Sequence, residues 1–343
     1  MENIIRLTNS DITKYTSQRS GEIKFGERIL TVPKNKDIWE FTKECNAEFV
    51  LFGIPEDIGV RANFGRCGAT SAWESALKSI VNIQHNKFCK GSHLLVLGHL
   101  DVTQALEDAE DLDTNVPEER KELSSIIAAI DKEVSHIVRN IVAAGKTPII
   151  IGGGHNNAYG NIKGTALAYG KPINVINFDA HTDFRIMEGR HSGNGFTYAY
   201  EEGFLKKYFI FGIHENYTSK GVLESLKKQK ERIKYNTYEQ IAVRGEKNFS
   251  DELGHALGFI EDETFGIEID LDALPNVASS AMTPSGFSIE KVRQFIHYFG
   301  RNKKAAYLHL CEGAPTLDNK ANQHLTGKLI AFLVTDFMKA KEL

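Results

Sequence analysis

Seven short apolar runs, rich in β-branched residues, recur along the chain: EFVLFG (48–53), LLVLG (94–98), TPIIIGG (147–153), INVINF (173–178), KYFIFGI (207–213), TFGIEID (264–270) and AAYLHLC (305–311). Runs that are apolar on both faces suit strands covered from both sides, the environment of a largely parallel sheet. Between two of them Leu123, Ile126, Ile127, Ile130, Val134, Ile137, Val138, Ile141 and Val142 recur at three- and four-residue spacing, the apolar stripe of one long helix. Pro117, Glu118 and Glu119 suit its first turn and Gly145 its end. Leu325, Leu329, Phe332, Leu333, Phe337 and Met338 predict a last helix packed on the sheet. Strands alternating with helices predict an α/β fold. No linker interrupts the series, so residues 46–343 read as a single domain and the polar residues 1–45 as an extension packing on it. The acidic stretch EDAEDLDTNVPEER (107–120) reads as a solvated loop, and there is no internal repeat.

A chain of 343 residues with 41% hydrophobic and 25% charged residues can bury one large core or two modest ones. A net charge of -4 offers no concentrated positive field, which argues against nucleic acid or an anionic membrane as partner. The first 30 residues lack the pattern of a secretory signal, and no apolar run approaches the roughly 20 residues of a membrane span, so a cytoplasmic protein is expected. Cys45, Cys67, Cys89 and Cys311 form no C-x-x-C pair and read as reduced thiols.

The chemistry is concentrated just after three of the runs. NFDAHTDFR (177–185) places Asp179, His181 and Asp183 at alternate positions, which point the same way if the extended conformation continues past Phe178. EIDLD repeats the spacing with Asp270 and Asp272, and IGGGHNN places His155 after a third run. In an open parallel sheet these strand ends border one crevice. Taken singly, a histidine after glycines is ordinarily a turn or core residue, and Asp270 and Asp272 could cap a helix. Taken together, four carboxylates crowded out of water repel one another and draw protons unless cations neutralise them. Four aspartates and two histidines can hold two divalent ions roughly 3.5 Å apart, and so oxygen-rich a set suits Mn²⁺ better than a thiolate-rich zinc site would. Two such ions can share a water and bring its pKa towards neutrality.

Other motifs fail on inspection. IGGGHNNAYGNIKGT has neither the Lys-Ser/Thr of a phosphate loop nor G-x-G-x-x-G spacing. HENYT (214–218) begins like H-E-x-x-H but carries Thr218 in place of the second histidine, and Ser192 in GRHSGNG lacks a G-x-S-x-G elbow.

GGGH (152–155), DAHTD (179–183) and IDLD (269–272) resemble, in order and approximate spacing, the three metal-binding signatures of the ureohydrolase family of arginases, agmatinases and formimidoylglutamases. The resemblance covers roughly residues 48–335, and FGIPEDIGVRANFGRCGA (52–69) looks like the family's first loop. It implies a three-layer α/β/α domain around a mainly parallel sheet of about eight strands. It also implies two Mn²⁺ ions per subunit held by His155, Asp179, His181, Asp183, Asp270 and Asp272, hydroxide attack on an amidine or guanidine carbon, and a homo-oligomer. Asp183 then has the further role of moving a proton to the departing amine.

Within the family, Leu274-Pro275 stands where arginase and agmatinase usually carry an additional Asp before Pro. PEDIGVRANFGR and Arg185 look most like formimidoylglutamases. Ser192-Gly193-Asn194 resembles the arginase segment that binds an α-carboxylate, so both comparisons imply a carboxylate-bearing substrate. Phe196 replaces the histidine proton shuttle of arginases, leaving His191 as the candidate proton carrier or else a loop histidine. Arg185, Arg190, Ser192 and Asn194 are candidate substrate contacts, each with an alternative as a surface or loop-stabilising residue. Glu312, matching a Glu before N-P in relatives, is a candidate for contacting the substrate or orienting the loop. The resulting expectation is Mn²⁺-dependent hydrolysis of N-formimidoyl-L-glutamate to L-glutamate and formamide, a step of histidine breakdown. The competing readings are another ureohydrolase, acting on agmatine, guanidinobutyrate or arginine, and a metal-holding regulatory protein without turnover.

Overall fold

A computed structural model describes residues 3–342. The strands are β1 (Ile4–Arg6), β2 (Leu30–Thr31), β3 (Phe49–Gly53), β4 (Leu94–Leu100), β5 (Thr147–Ile151), β6 (Ile173–Phe178), β7 (Leu205–Ile213), β8 (Ile233–Thr237), β9 (Phe265–Asp270) and β10 (Ala305–Cys311). They form one 10-stranded sheet in the order β1-β4-β3-β5-β10-β9-β6-β7-β8, with β2 also paired to β4. Every pairing from β4 across to β8 is parallel, and β1 alone runs antiparallel. The parallel core thus has the expected eight strands, and the N-terminal segment adds β1 and β2 at one edge.

All seven apolar runs are strands, because each has helices over both faces. Ala72–Ile80, Phe249–Ile260, Ile289–Gly300 and Gln323–Lys341 cover one face, burying Trp73, Phe249, Phe295 and Phe337 among others. Pro117–Ala143, Ala158–Tyr169, Gly195–Glu201 and Lys220–Lys228 cover the other, burying Ile127, Ile162, Ala199 and Leu226. Pro117 opens its helix, and Gly145 follows it with φ +76°, a conformation that glycine adopts without a Cβ penalty. The last helix turns a slightly different face inward from the one expected. Leu325 and Phe332 are half exposed, and Ile330 and Val334 are buried beside Leu329, Leu333, Phe337 and Met338. No helix among the described residues is long and apolar enough to cross a membrane.

Four adjacent strands at the centre of the sheet, β5, β10, β9 and β6, end level with one another: Leu310 pairs with Ile151, Cys311 with Asp270 and Ile269 with Phe178. The segments leaving these four ends carry His155, Glu312, Asp270 with Asp272, and Asp179 to Asp183. Strands about 4.8 Å apart bring such residues within reach of one another.

Candidate metal centre

The six expected ligands meet at these strand ends, although not by simple strand alternation. β6 stops at Phe178, and the Asp179 carboxylate accepts the His181 N–H at 2.7 Å, folding the chain into a turn. Asp183 then enters the centre from a left-handed backbone, φ +43°, which a non-glycine residue adopts only when its surroundings enforce it. Asp270 repeats the device: its Oδ1 accepts the Asp272 N–H at 2.7 Å and its Oδ2 turns inward to His155 Nδ1 at 3.2 Å. Asp272 is held by the Ala281 N–H at 2.9 Å and the Ser280 hydroxyl at 3.2 Å.

The His155 ring is fully buried, with Nδ1 at 2.8 Å from Asp183 Oδ2, 3.2 Å from Asp270 Oδ2 and 3.3 Å from Asp179 Oδ2. Single ligand atoms of His155, Asp179, Asp183 and Asp270 lie within 4.8 Å of one another, and so do those of His181, Asp270 and Asp272. Asp270 belongs to both groups. Among the described residues no lysine or arginine forms an ion pair with these four aspartates. Protons are what remain: burial pushes the Asp183, Asp270 and Asp272 carboxyls up, and the charge of Asp179 adds to it. Asp179 stays low despite its burial because both histidines bond to it, and the same bond, against burial, carries His181 up to about 10. Such proton hunger is what a cluster built for cations displays without them, so the residues fit two divalent ions.

His155, His309 and Cys311 also lie close enough together to ligate. Burial pushes the Cys311 thiol well up, and both His309 nitrogens are engaged, by Glu268 at 2.5 Å and the Gly152 carbonyl at 3.3 Å. This trio therefore supports the centre from behind. Glu268 accepts from Tyr307 Oη at 2.7 Å and faces His155 Nε2 at 3.6 Å, placing a carboxylate behind the candidate ligand imidazole. Glu56 is buried too, and accepts from Asn156 at 3.1 Å, Asn157 at 2.5 Å and the N–H groups of Gly154, Ile58 and Gly59. It ties the loop after β3 to the GGGH turn, where Gly153 (φ +75°) has no room for a Cβ beside Asn157.

The strand ends open into a cavity of about 1050 Å³ whose walls include His181, Asp183, Asp270, Asp272 and Glu312. Glu312, with φ +62°, accepts the His155 N–H at 2.7 Å, and burial pushes its carboxyl up to about 8. Of the other expected substrate contacts, Arg185 and Ser192 line the cavity. Asn63 joins them, accepting from Arg185 at 2.7 Å and donating to Ser192 Oγ at 3.1 Å.

Arg190 and Asn194 do not line it. The Arg190 guanidinium is buried against Asp131 at 2.8 Å, bonds Asn194 Oδ1 at 2.8 Å and the Asn156 carbonyl at 2.9 Å, and lies over the rings of Tyr159 and Tyr198. Asn194 is fully buried and donates to the Gly189 carbonyl at 2.7 Å. Their polar groups are engaged in holding the 185–195 segment against the long helix, which favours the loop-stabilising alternative for both. His191, the candidate proton carrier or loop histidine, is likewise buried and does not line the cavity. Its Nδ1 accepts from Gly193, and burial followed by the charge of Arg185 pushes it down to about 4, leaving a neutral ring out of line with the cavity.

The geometry agrees with comparisons to known proteins. The chain is 26% identical over 277 residues to a formimidoylglutamase of Chromobacterium violaceum, covering 78% of this chain and 81% of that one. Its fold matches the crystal structure of formimidoylglutamase from Bacillus subtilis with a TM-score of 0.75 at 19% identity, over 95% of this chain and 94% of the other. Trypanosoma cruzi formiminoglutamase, solved with Mn²⁺, matches with a TM-score of 0.70 at 19% identity, over 93% and 98%. The arginase family model matches residues 47–338, and the chain belongs to the arginase family.

Proposed function

We propose that the protein is a two-manganese hydrolase that cleaves N-formimidoyl-L-glutamate to L-glutamate and formamide. The observation that carries this reading is the convergence of His155, Asp179, Asp183 and Asp270 with His181 and Asp272 in one cavity that Arg185 and Ser192 also line. His155, Asp179, Asp183 and Asp270 would hold one ion, and His181 and Asp272, with Asp270 shared, the other. The bound ions supply Lewis acidity, which makes water a nucleophile near neutral pH. The water oxygen bonds to the formimidoyl carbon and the water's two protons pass to the two nitrogens, one making the imine nitrogen the NH2 of formamide and the other letting the glutamate nitrogen leave as an amine as its bond to that carbon breaks. Asp183, which faces the cavity, is placed to carry the water's proton to the leaving nitrogen. Glu312 keeps His155 in place through the backbone and lines the cavity.

For a carboxylate-bearing tail the wall offers guanidinium, hydroxyl and amide groups at Arg185, Ser192 and Asn63, with Arg185 held on Glu188 at 2.6 Å. A charge-assisted bond of this kind contributes about 1.5–3 kcal/mol. Arg185→Ala is therefore expected to raise KM for formimidoylglutamate roughly 10- to 100-fold with a smaller change in kcat. The deciding assay offers the manganese-loaded enzyme formimidoylglutamate, arginine, agmatine and guanidinobutyrate. Formamide from the first is expected; urea from any of the others, with no formamide, overturns the substrate assignment.

A further inference from the structure

The two ligating imidazoles are held by different means. His155 is walled in, with Phe196 edge-on at 5.0 Å and Glu268 behind. The His181 side chain is 29% exposed, and the nearest charged partner of its ring is Asp179 Oδ1, 3.6 Å from Nδ1. Its flat face lies instead on Tyr217, with ring centres 5.3 Å apart and planes at 21°. Tyr217 stacks in turn on His214 at 5.2 Å and 3°, and His214 on Tyr238 at 4.8 Å and 15°. Tyr238 meets the core edge-on at Phe287. Four rings thus run from the buried core to the cavity.

His214 and Tyr217 are the ends of the HENY segment that resembles a zinc-protease motif without completing it. Here the segment has another use. The His214 N–H donates to the Ala180 carbonyl at 2.8 Å, pinning this loop to the turn that carries His181. Tyr217 Oη lies 3.3 Å from Thr283 Oγ1, on the loop that follows Asp272. Tyr217 is 47% exposed and lines the cavity, so filling the core does not account for it. Two imidazoles, those of His181 and His214, stack on its ring.

We propose that Tyr217, backed by His214 and Tyr238, is a positioning residue that sets the plane of the His181 ring and so aims its nitrogen at the cation shared with Asp270 and Asp272. The inference rests on the two-ion reading of this centre. With its contact to Asp179 as long as 3.6 Å, the His181 ring takes its plane from the ring stacked on it, and a stacked aromatic pair favours one plane by roughly 3- to 10-fold.

The test is a Mn²⁺ titration of chelator-stripped protein, in which His181→Ala identifies the binding step that depends on His181. Tyr217→Leu is expected to weaken that step by about 10-fold while leaving the His155-dependent step unchanged. Tyr217→Phe, which keeps the ring and loses the hydroxyl, is expected to stay within about 2-fold of the wild type. His214→Leu, which removes the backing ring and leaves Tyr217, is expected to weaken the same step by less, and it serves if Tyr217→Leu does not fold. Wild-type affinities for both ions in the leucine variants, or equal weakening of both steps, overturn the positioning role and leave the two-ion reading standing. A wild-type protein that takes up fewer than two ions overturns both.

Discussion

Asp270→Asn is expected to lose manganese on dialysis and to cut turnover by at least about 100-fold. Replacing a group that merely orients a ligand costs about 10- to 100-fold in metal affinity or activity, and Asp270 belongs to both groups of ligating atoms. Asparagine keeps an Oδ1 to accept the Asp272 N–H, so the turn after β9 survives and the lost charge is what the experiment reads. The same substitution should act in the opposite direction on the stripped protein. Burial and the neighbouring carboxylates push Asp270 well up, so its charge is a liability in the fold when no cation is present. Stripped Asp270→Asn should melt above stripped wild type, and addition of Mn²⁺ should reverse the order. A variant that binds Mn²⁺ as the wild type does would remove Asp270 from the ligand set.

Arg190→Met is expected to destabilise the fold by about 3–5 kcal/mol, the cost of removing one partner from a buried ion pair. The Asp131 side chain is 4% exposed and that of Arg190 5%, so the carboxylate left behind is far from water. Burial already pushes the Asp131 carboxyl up, with Arg190 acting against it, and without the guanidinium it would take up a proton. The double variant Arg190→Met/Asp131→Leu should regain most of the loss, because an apolar pair of similar volume replaces a buried ionic one at little cost. Denaturant midpoints give the stability, and KM in the double variant separates the two roles. A KM near wild type fits a structural arginine, whereas recovered stability with a strongly raised KM would return Arg190 to the substrate contacts.

The sequence made the sheet visible wherever strands are buried on both faces, as in INVINF and TPIII. It hid β8, because an edge strand is half solvated: Lys234 and Tyr235 are exposed between the buried Ile233 and Asn236, and no apolar run results. It hid β1 and β2 because strands of three and two residues carry no period. The six candidate ligands were legible because ionisable residues directly after apolar runs stand out, and a parallel sheet gathers such positions at one edge. The turns that deliver Asp183 and Asp272 depend on local side-chain-to-backbone bonds, which spacing alone does not reveal.

Two buried ion pairs leave a signal in the sequence. Glu268 and His309 each interrupt an apolar run, and they are register partners on β9 and β10, where an acid beside a base in a buried sheet calls for pairing. Asp131 lies in the apolar stripe of the long helix, and a carboxylate there requires a buried cation, which Arg190 provides. Recognising that need would have taken Arg190 off the cavity wall. The aromatic column under His181 had no sequence signal, since its rings come from segments at 181, 214–217 and 238 that only the fold brings together.

The proposed chemistry requires cations to hold the four aspartates together. The most direct measurement is the melting temperature of chelator-stripped wild-type protein as Mn²⁺ is added. Each ion bound only by the folded state contributes about 2.7 kcal/mol when present at 100 times its Kd. The midpoint should rise steeply until two equivalents are bound and then climb only slowly with free metal. A midpoint that stays flat up to millimolar Mn²⁺, with none retained by the protein, would contradict the account.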